Sequence, residues 1–181
     1  MWETLIAVLV GVAIALLPQL LIECLKSNKE NIRRKHELIS RGRAKAYLIT
    51  QILKRLAMYK VHKQYYARAS KLIADVGGKE DAYKKHYEKG QEQRETELLL
   101  NNIISDYIQI ATEYAVLRKN LDDFNRAFQN IFNYKHPKPS KFENCKTEQE
   151  LVAELQEEET KMNESYMDFL GIIELIQGLM K

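Results

Sequence analysis

The feature that most constrains this chain is a run of apolar residues close to its N-terminus. Residues 5–17 read LIAVLVGVAIALL and contain no polar side chain. The wider segment Thr4–Leu25 has 22 residues, and about 20 predominantly apolar residues are enough to cross a hydrocarbon core roughly 30 Å thick. A cleavable signal peptide is the alternative, but Glu3 is the only charge before the run and no small-residue cleavage site follows it. The sequence therefore predicts a single transmembrane helix in residues 1–25.

Charged residues beside this segment predict its orientation. Lys and Arg are frequent in residues 26–35, and no Lys or Arg precedes the apolar run. Positive charge is enriched on the cytoplasmic side of membrane segments. We therefore expect a single-pass membrane protein, with its N-terminus outside and residues 26–181 in the cytoplasm.

Small and polar residues recur at every fourth position of the apolar segment, so they share one slowly turning helix face. They are Ala7, Gly11, Ala15, Gln19 and Glu23. Small side chains allow the backbones of two helices to approach closely, and polar groups in a membrane need a partner or water. The first three residues are therefore predicted to pack against other copies of the chain, and Gln19 and Glu23 to line a pore. The alternative is that Glu23 reaches the lipid headgroups and that the small residues occur by chance.

Helical periodicity dominates the remainder of the chain, and no segment alternates with a period of two. The pattern predicts three long helices, which run from Ser27 to about Ala74, from about Glu80 to His136, and from Thr147 onward. Ser27 and Thr147 each precede a glutamate by three positions, which is the spacing of a capping box. Gly77 and Gly78 are expected to end the first helix. The predicted fold class is all-α: one N-terminal transmembrane helix followed by an antiparallel helical bundle in residues 26–181.

Composition and motifs exclude several classes of function. The formal net charge is only +3, too small to indicate nucleic-acid binding by itself. The two cysteines, Cys24 and Cys145, form neither a disulfide framework nor a metal-ligand cluster. The chain contains no glycine-rich phosphate-binding loop, no dinucleotide-binding motif and no HExxH. We therefore expect no cofactor, no metal and no enzymatic activity.

One pair of residues still indicates possible chemistry. Arg55 and His62 lie seven positions apart, two helical turns along one face. The pair resembles the R-x(4–6)-H motif of HEPN domains, small helical bundles that often act as metal-independent ribonucleases. The resemblance implies that the histidine would move protons and that the arginine would bind the scissile phosphate. HEPN nucleases usually have a polar residue directly after the arginine, where this chain has Leu56. We therefore predict a divergent HEPN-like bundle with a degenerate pair that is not catalytic.

The order of these features resembles one known family. An N-terminal membrane helix, a basic stretch and a divergent HEPN-like domain are similar to the membrane accessory protein of type VI-B CRISPR systems. The resemblance implies an antiviral defence protein that assists an RNA-guided, RNA-cleaving effector, through direct or purely functional contact. It also implies a homo-oligomeric ring that forms a pore in the lipid bilayer and perturbs the inner membrane. Direct RNA binding is left open. The alternatives are a membrane-tethered scaffold that binds a cytoplasmic partner, and a membrane-tethered HEPN ribonuclease.

Overall fold

The chain is built almost entirely from α-helices. The computed structural model describes residues 2–139 and 141–181, and in these ranges it contains five α-helices, one short 3-10 helix and no strand. The elements are α1 (Trp2–Leu72), α2 (Val76–Arg118), α3 (Leu121–Asn133), the 3-10 helix (Lys141–Asn144), α4 (Glu148–Ser165) and α5 (Met167–Leu179). The predicted all-α class is confirmed.

The predicted fold class is wrong in one respect, the transmembrane helix in residues 1–25. Among the residues whose side chains the structure describes, 21–139 and 142–181, no helical stretch combines the length and the apolarity that crossing a membrane requires. The apolar run forms the start of α1, and this helix continues without a break into the charged residues 26–35.

The first helix, α1, has 71 residues, which corresponds to roughly 105 Å at a rise of 1.5 Å per residue. Residues 21–34 are all exposed, and the first buried side chain after them is Leu38. We call residues 21–34 the projecting segment and residues 38–72 the bundle segment. The capping box predicted at Ser27 is wrong, because the backbone is already helical before this residue and needs no N-cap.

The bundle segment pairs with α2 in an antiparallel arrangement, as predicted. Lys45 Nζ lies 2.6 Å from Asp106 Oδ2, and Lys60 Nζ lies 3.6 Å from Glu97 Oε1. Residue numbers therefore rise along α1 as they fall along α2. The helices α4 and α5 also pack against α1, and α3 packs against α2 and α5. The largest fully buried side chains of this core are Tyr107, Tyr114, Tyr166, Phe124, Phe169, Leu38, Ile49, Leu53, Leu56, Leu100, Leu151 and Ile176.

The turn between α1 and α2 differs from the prediction. The first helix ends at Leu72, and Gly77 and Gly78 lie in the first turn of α2 and do not end α1. The N-cap of α2 is Asp75, whose carboxylate accepts a hydrogen bond of 2.7 Å from the backbone N–H of Gly78. A capping carboxylate starts this helix despite the low helix propensity of glycine.

The second predicted helix is in fact two helices, α2 and α3. Lys119 adopts a left-handed conformation with a φ of 58°, and Asn120 precedes the first turn of α3. The change of direction lets α3 bury Phe124 and Phe128, and the Phe124 ring lies 6.3 Å from that of Tyr114 on α2. The amphipathic pattern continues across this break, so the sequence did not reveal it. Burial of the aromatic rings outweighs the one unfavourable backbone conformation at Lys119.

The third predicted helix begins where expected but is also interrupted. Thr147 is the N-cap of α4, and its side chain accepts a hydrogen bond of 3.2 Å from the backbone N–H of Glu150, which confirms this cap. The helix ends at Ser165, and Tyr166 joins it to α5. The start could be predicted because capping is local, whereas the break at Tyr166 depends on packing.

Candidate functional site

The predicted pair, Arg55 and His62, lies on the bundle segment of α1. Arg55 is exposed and His62 is partly buried. The Nε2 atom of His62 lies 2.6 Å from Oε1 of Glu159 on α4. The structure therefore places a carboxylate beside the histidine that the sequence motif did not include. Glu159 is 97 positions from His62, so only folding brings the two together.

A cleft of about 520 Å³ opens beside Arg55. We call it the Arg55 cleft. It is lined by Gln51, Lys54, Arg55 and Met58 of α1 and by Glu159 and Asn163 of α4. Arg55 forms no ion pair with a described residue, so its planar guanidinium is available for a carboxylate or a phosphate.

Leu56, the residue that departs from the HEPN pattern, is fully buried. Its side chain belongs to the hydrophobic core that α1 forms with the other helices. A polar side chain at this position would lose its contact with water and would need a new hydrogen-bond partner. Position 56 therefore serves packing and supplies no polar group to the cleft, whereas α4 supplies Glu159 and Asn163.

Only one of the five residues predicted for the membrane segment has a described side chain. The side chains of Ala7, Gly11, Ala15 and Gln19 lie outside the described part of the structure. Glu23 is described and is exposed on the projecting segment. Helix packing at the first three residues and pore lining by Gln19 and Glu23 stay predictions.

A second polar cluster, which the sequence did not indicate, surrounds Lys60. This lysine is only 8% exposed, and its ammonium group lies 5.8 Å from the centroid of the Tyr166 ring. Burial lowers the pKa of Lys60, the carboxylate of Glu97 opposes this shift, and the charge of Lys138 lowers the pKa further. Burial also raises the pKa of Tyr166. No sequence signal separates Lys60 from the many basic residues around it.

Several other features of the described residues limit the chemistry. Cys24 is exposed and Cys145 is buried, and no disulfide joins the two. Within the described ranges, no three His, Cys, Asp or Glu side chains are grouped so that they could hold a metal ion. The chain matches no protein-family model, no curated protein and no solved structure.

Proposed function

We propose that this protein is a non-catalytic helical scaffold that self-associates through the N-terminal part of α1 and binds a partner protein through its bundle. The pore that the family resemblance implies requires a membrane-spanning helix, so it is not part of this proposal. The resemblance supplies the partner class: an RNA-guided ribonuclease of antiviral defence.

The exposure of the projecting segment is the observation that carries the proposal. Leu21, Ile22, Leu25 and Ile32 are large apolar residues that are about half exposed or more. Arg34, at the end of this segment, lies 3.7 Å from Glu113 of α2, but the four apolar side chains are not buried. A helix without buried apolar contacts is marginally stable in water, and exposed apolar patches mark surfaces for association. A second copy offers a helix of identical length and pattern, so pairing two projecting segments would bury both apolar faces.

Charges on the projecting segment are compatible with this pairing. Glu30 lies among Lys29, Arg33 and Arg34 in the sequence. Both signs are therefore present on neighbouring turns, and neighbouring copies can form ion pairs at their edges. Such pairs contribute little energy when exposed, so the apolar contacts would provide most of the stability.

The Arg55 cleft is the proposed surface for the partner. It combines two cations, Lys54 and Arg55, with the exposed apolar side chain of Met58. Arginine is enriched in the residues that contribute most to binding energy at protein interfaces, and methionine adapts to irregular apolar surfaces. An acidic, partly apolar surface on the partner would complement this cleft.

The molar mass of the full-length protein tests self-association. We expect light scattering in a mild detergent to give a multiple of the 21.2 kDa chain mass. The variant Leu21→Glu/Leu25→Glu should give the mass of one chain, because the two residues share a helix face and like charges repel in the assembly. The matched control Leu98→Glu/Val116→Glu changes two residues of α2 with similar exposure and should keep the assembled mass. A wild-type protein that is monomeric at tens of micromolar would contradict the proposal.

A ribonuclease is the second candidate, because the pair between His62 and Glu159 is favourable for proton transfer. A carboxylate can hold a neighbouring histidine in the orientation that proton transfer needs. We expect no cleavage of single-stranded RNA in the presence of a chelator, since no polar residue follows Arg55. Cleavage that is lost in His62→Ala and kept in His36→Ala, an exposed histidine of the same helix, would favour the nuclease over the scaffold.

A further inference from the structure

A cleft of about 440 Å³ lies next to Lys60, between α1, α2 and the segment that follows α3. We call it the Lys60 cleft. It is lined by Lys60, Lys63, Gln64, Gln93, Glu97, Lys138, Pro139 and Glu143. Its volume is in the range of pockets that take small molecules, and none of these residues lines the Arg55 cleft.

Positive charge exceeds negative charge in this lining. Three lysines face two glutamates, and Glu97 is already the partner of Lys60. The Lys60–Glu97 distance of 3.6 Å is longer than a direct hydrogen bond. Neither Lys63 nor Lys138 forms an ion pair with any residue of the described ranges. Two ammonium groups therefore border the cleft without a direct ion pair, and Glu143 is the one carboxylate of the lining besides Glu97.

The positive groups of this region also repel one another. The charge of Lys138 lowers the pKa of Lys60. The pKa of His136 is lowered first by partial burial of its ring and then by the charge of Lys60, while Glu97 has the opposite effect. A bound anion would relieve the repulsion between Lys60 and Lys138, because it would stabilise the charged form of both lysines.

The protein also restricts where two of the lysines can lie. Lys60 is nine-tenths buried and its ammonium group lies near the face of Tyr166. The hydrocarbon stem of Lys63 passes close to Gly90 of α2, where an added Cβ would lie 3.5 Å from Lys63 Cε. The backbone oxygen of Lys63 lies 2.9 Å from Nδ1 of His86. Restricted side chains lose less entropy when a ligand binds.

We propose that the Lys60 cleft is a binding site for the phosphate group of a small molecule. Lys63 and Lys138 bind the phosphate oxygens directly, and the amides of Gln64 and Gln93 donate hydrogen bonds beside them. Lys60 remains with Glu97 and adds positive potential behind the ligand. A phosphate fits better than a carboxylate because it carries more charge and more acceptor oxygens for several ammonium groups.

Calorimetry on the full-length protein tests this site, with inorganic phosphate, pyrophosphate and ATP as probes at matched ionic strength. We expect saturable binding of at least one probe, with sodium acetate binding more weakly. Lys63→Gln and Lys138→Gln should each weaken the affinity about tenfold, as expected for the loss of one charge-assisted hydrogen bond. Lys84→Gln, which changes an exposed lysine outside the cleft, should bind like the wild type.

Binding should also change the NMR signals of the His136 ring, since this residue senses the charge of Lys60. Absence of saturable heat with all three phosphate probes would overturn the proposal. An equal loss of affinity in Lys84→Gln would also overturn it, because it would show a general effect of net charge. Lys138 is exposed and lies outside the helices, so Lys138→Gln should fold even if Lys63→Gln does not. The molar-mass experiment is independent, so failure of this site leaves the scaffold proposal unaffected.

Discussion

The two segments of α1 share one continuous backbone but have opposite surroundings. In the bundle segment, Ile49, Leu53, Leu56 and Val61 are at most 1% exposed. In the projecting segment, by contrast, every residue is exposed. Helix formation therefore does not distinguish the two parts, but burial does. The difference shows that this chain's own core stabilises the bundle segment, whereas the projecting segment gains no stability from burial in that core.

Hydrogen exchange should show the largest difference between the two segments. In the Leu21→Glu/Leu25→Glu variant, amides of residues 21–34 should exchange at least about a thousandfold faster than amides of residues 49–57, because only the latter need the bundle to open. In the assembled wild-type protein, residues 21–34 should become protected. Similar protection of both ranges in the variant would show that the projecting segment has a partner within its own chain.

Truncation of a leucine in each segment should give the next largest difference. Leu56→Ala should lower the free energy of unfolding by about 2–5 kcal/mol, because it leaves a cavity in the core. Leu25→Ala, at a residue that is 62% exposed, should change the monomer by less than about 0.5 kcal/mol. Urea unfolding followed by circular dichroism measures both, and equal effects would contradict the division of α1 into two parts.

Alkaline pH should destabilise the bundle through Tyr107, which is fully buried on α2. Burial raises the pKa of Tyr107 to about 12, so the unfolded chain loses this proton first. The contribution of Tyr107 to the free energy of unfolding is therefore complete below pH 10 and decreases as the pH rises towards 12. Between pH 9 and 11 the decrease due to this residue should be about 1.4 kcal/mol.

Variants of tyrosine isolate this contribution. At neutral pH, Tyr107→Phe should be less stable than the wild type by about 1 kcal/mol, because it loses the hydrogen bond that the hydroxyl donates to the Ile173 backbone oxygen. Between pH 9 and 11, the free energy of unfolding of this variant should decrease less than that of the wild type. Tyr83→Phe, at an exposed residue of the same helix, should behave like the wild type. An identical alkaline decrease in all three proteins would contradict the assignment.

The smallest predicted effect concerns two helical glycines. A Cβ at Gly171 would meet no atom within 4 Å, so Gly171→Ala should raise the free energy of unfolding by roughly 0.5–1 kcal/mol. A Cβ at Gly42 would lie 2.9 Å from Cε of the buried Met180. The new Cβ would displace the Met180 side chain, and this cost should cancel the stability gained by replacing glycine. Gly42→Ala should therefore be the less stable of the two variants in urea unfolding. The reverse order would show that α5 packs loosely where it meets the bundle segment.

Local sequence signals predicted part of the fold correctly. Helical periodicity predicted an all-α chain, and Thr147 predicted the start of α4, because capping needs only residues three positions apart. The same kind of signal was wrong at Ser27, where the helix had already begun. It was also wrong at Gly77 and Gly78, since the carboxylate of Asp75 starts a new helix there. Local patterns are therefore reliable only where no longer element overrides them.

The candidate sites show the same limit. Arg55 and His62 could be found from the sequence because seven positions on one helix place both on one face. Glu159 could not be found, because its glutamate-rich surroundings resemble an ordinary solvated helix surface. Lys60 could not be distinguished from its basic neighbours either. Both residues gain their properties from helices that are distant in sequence.

By itself the sequence determined that this chain is helical, that its N-terminal end is strongly apolar and that Arg55 and His62 share a face. Only the tertiary structure decided that the apolar run is the start of a 71-residue helix, that Glu159 pairs with His62, and that Lys60 is buried beside Glu97. The physical reason is the range of the interactions. Periodicity and capping act within a few residues, whereas burial, ion pairing and pKa shifts depend on which surfaces the whole chain brings together.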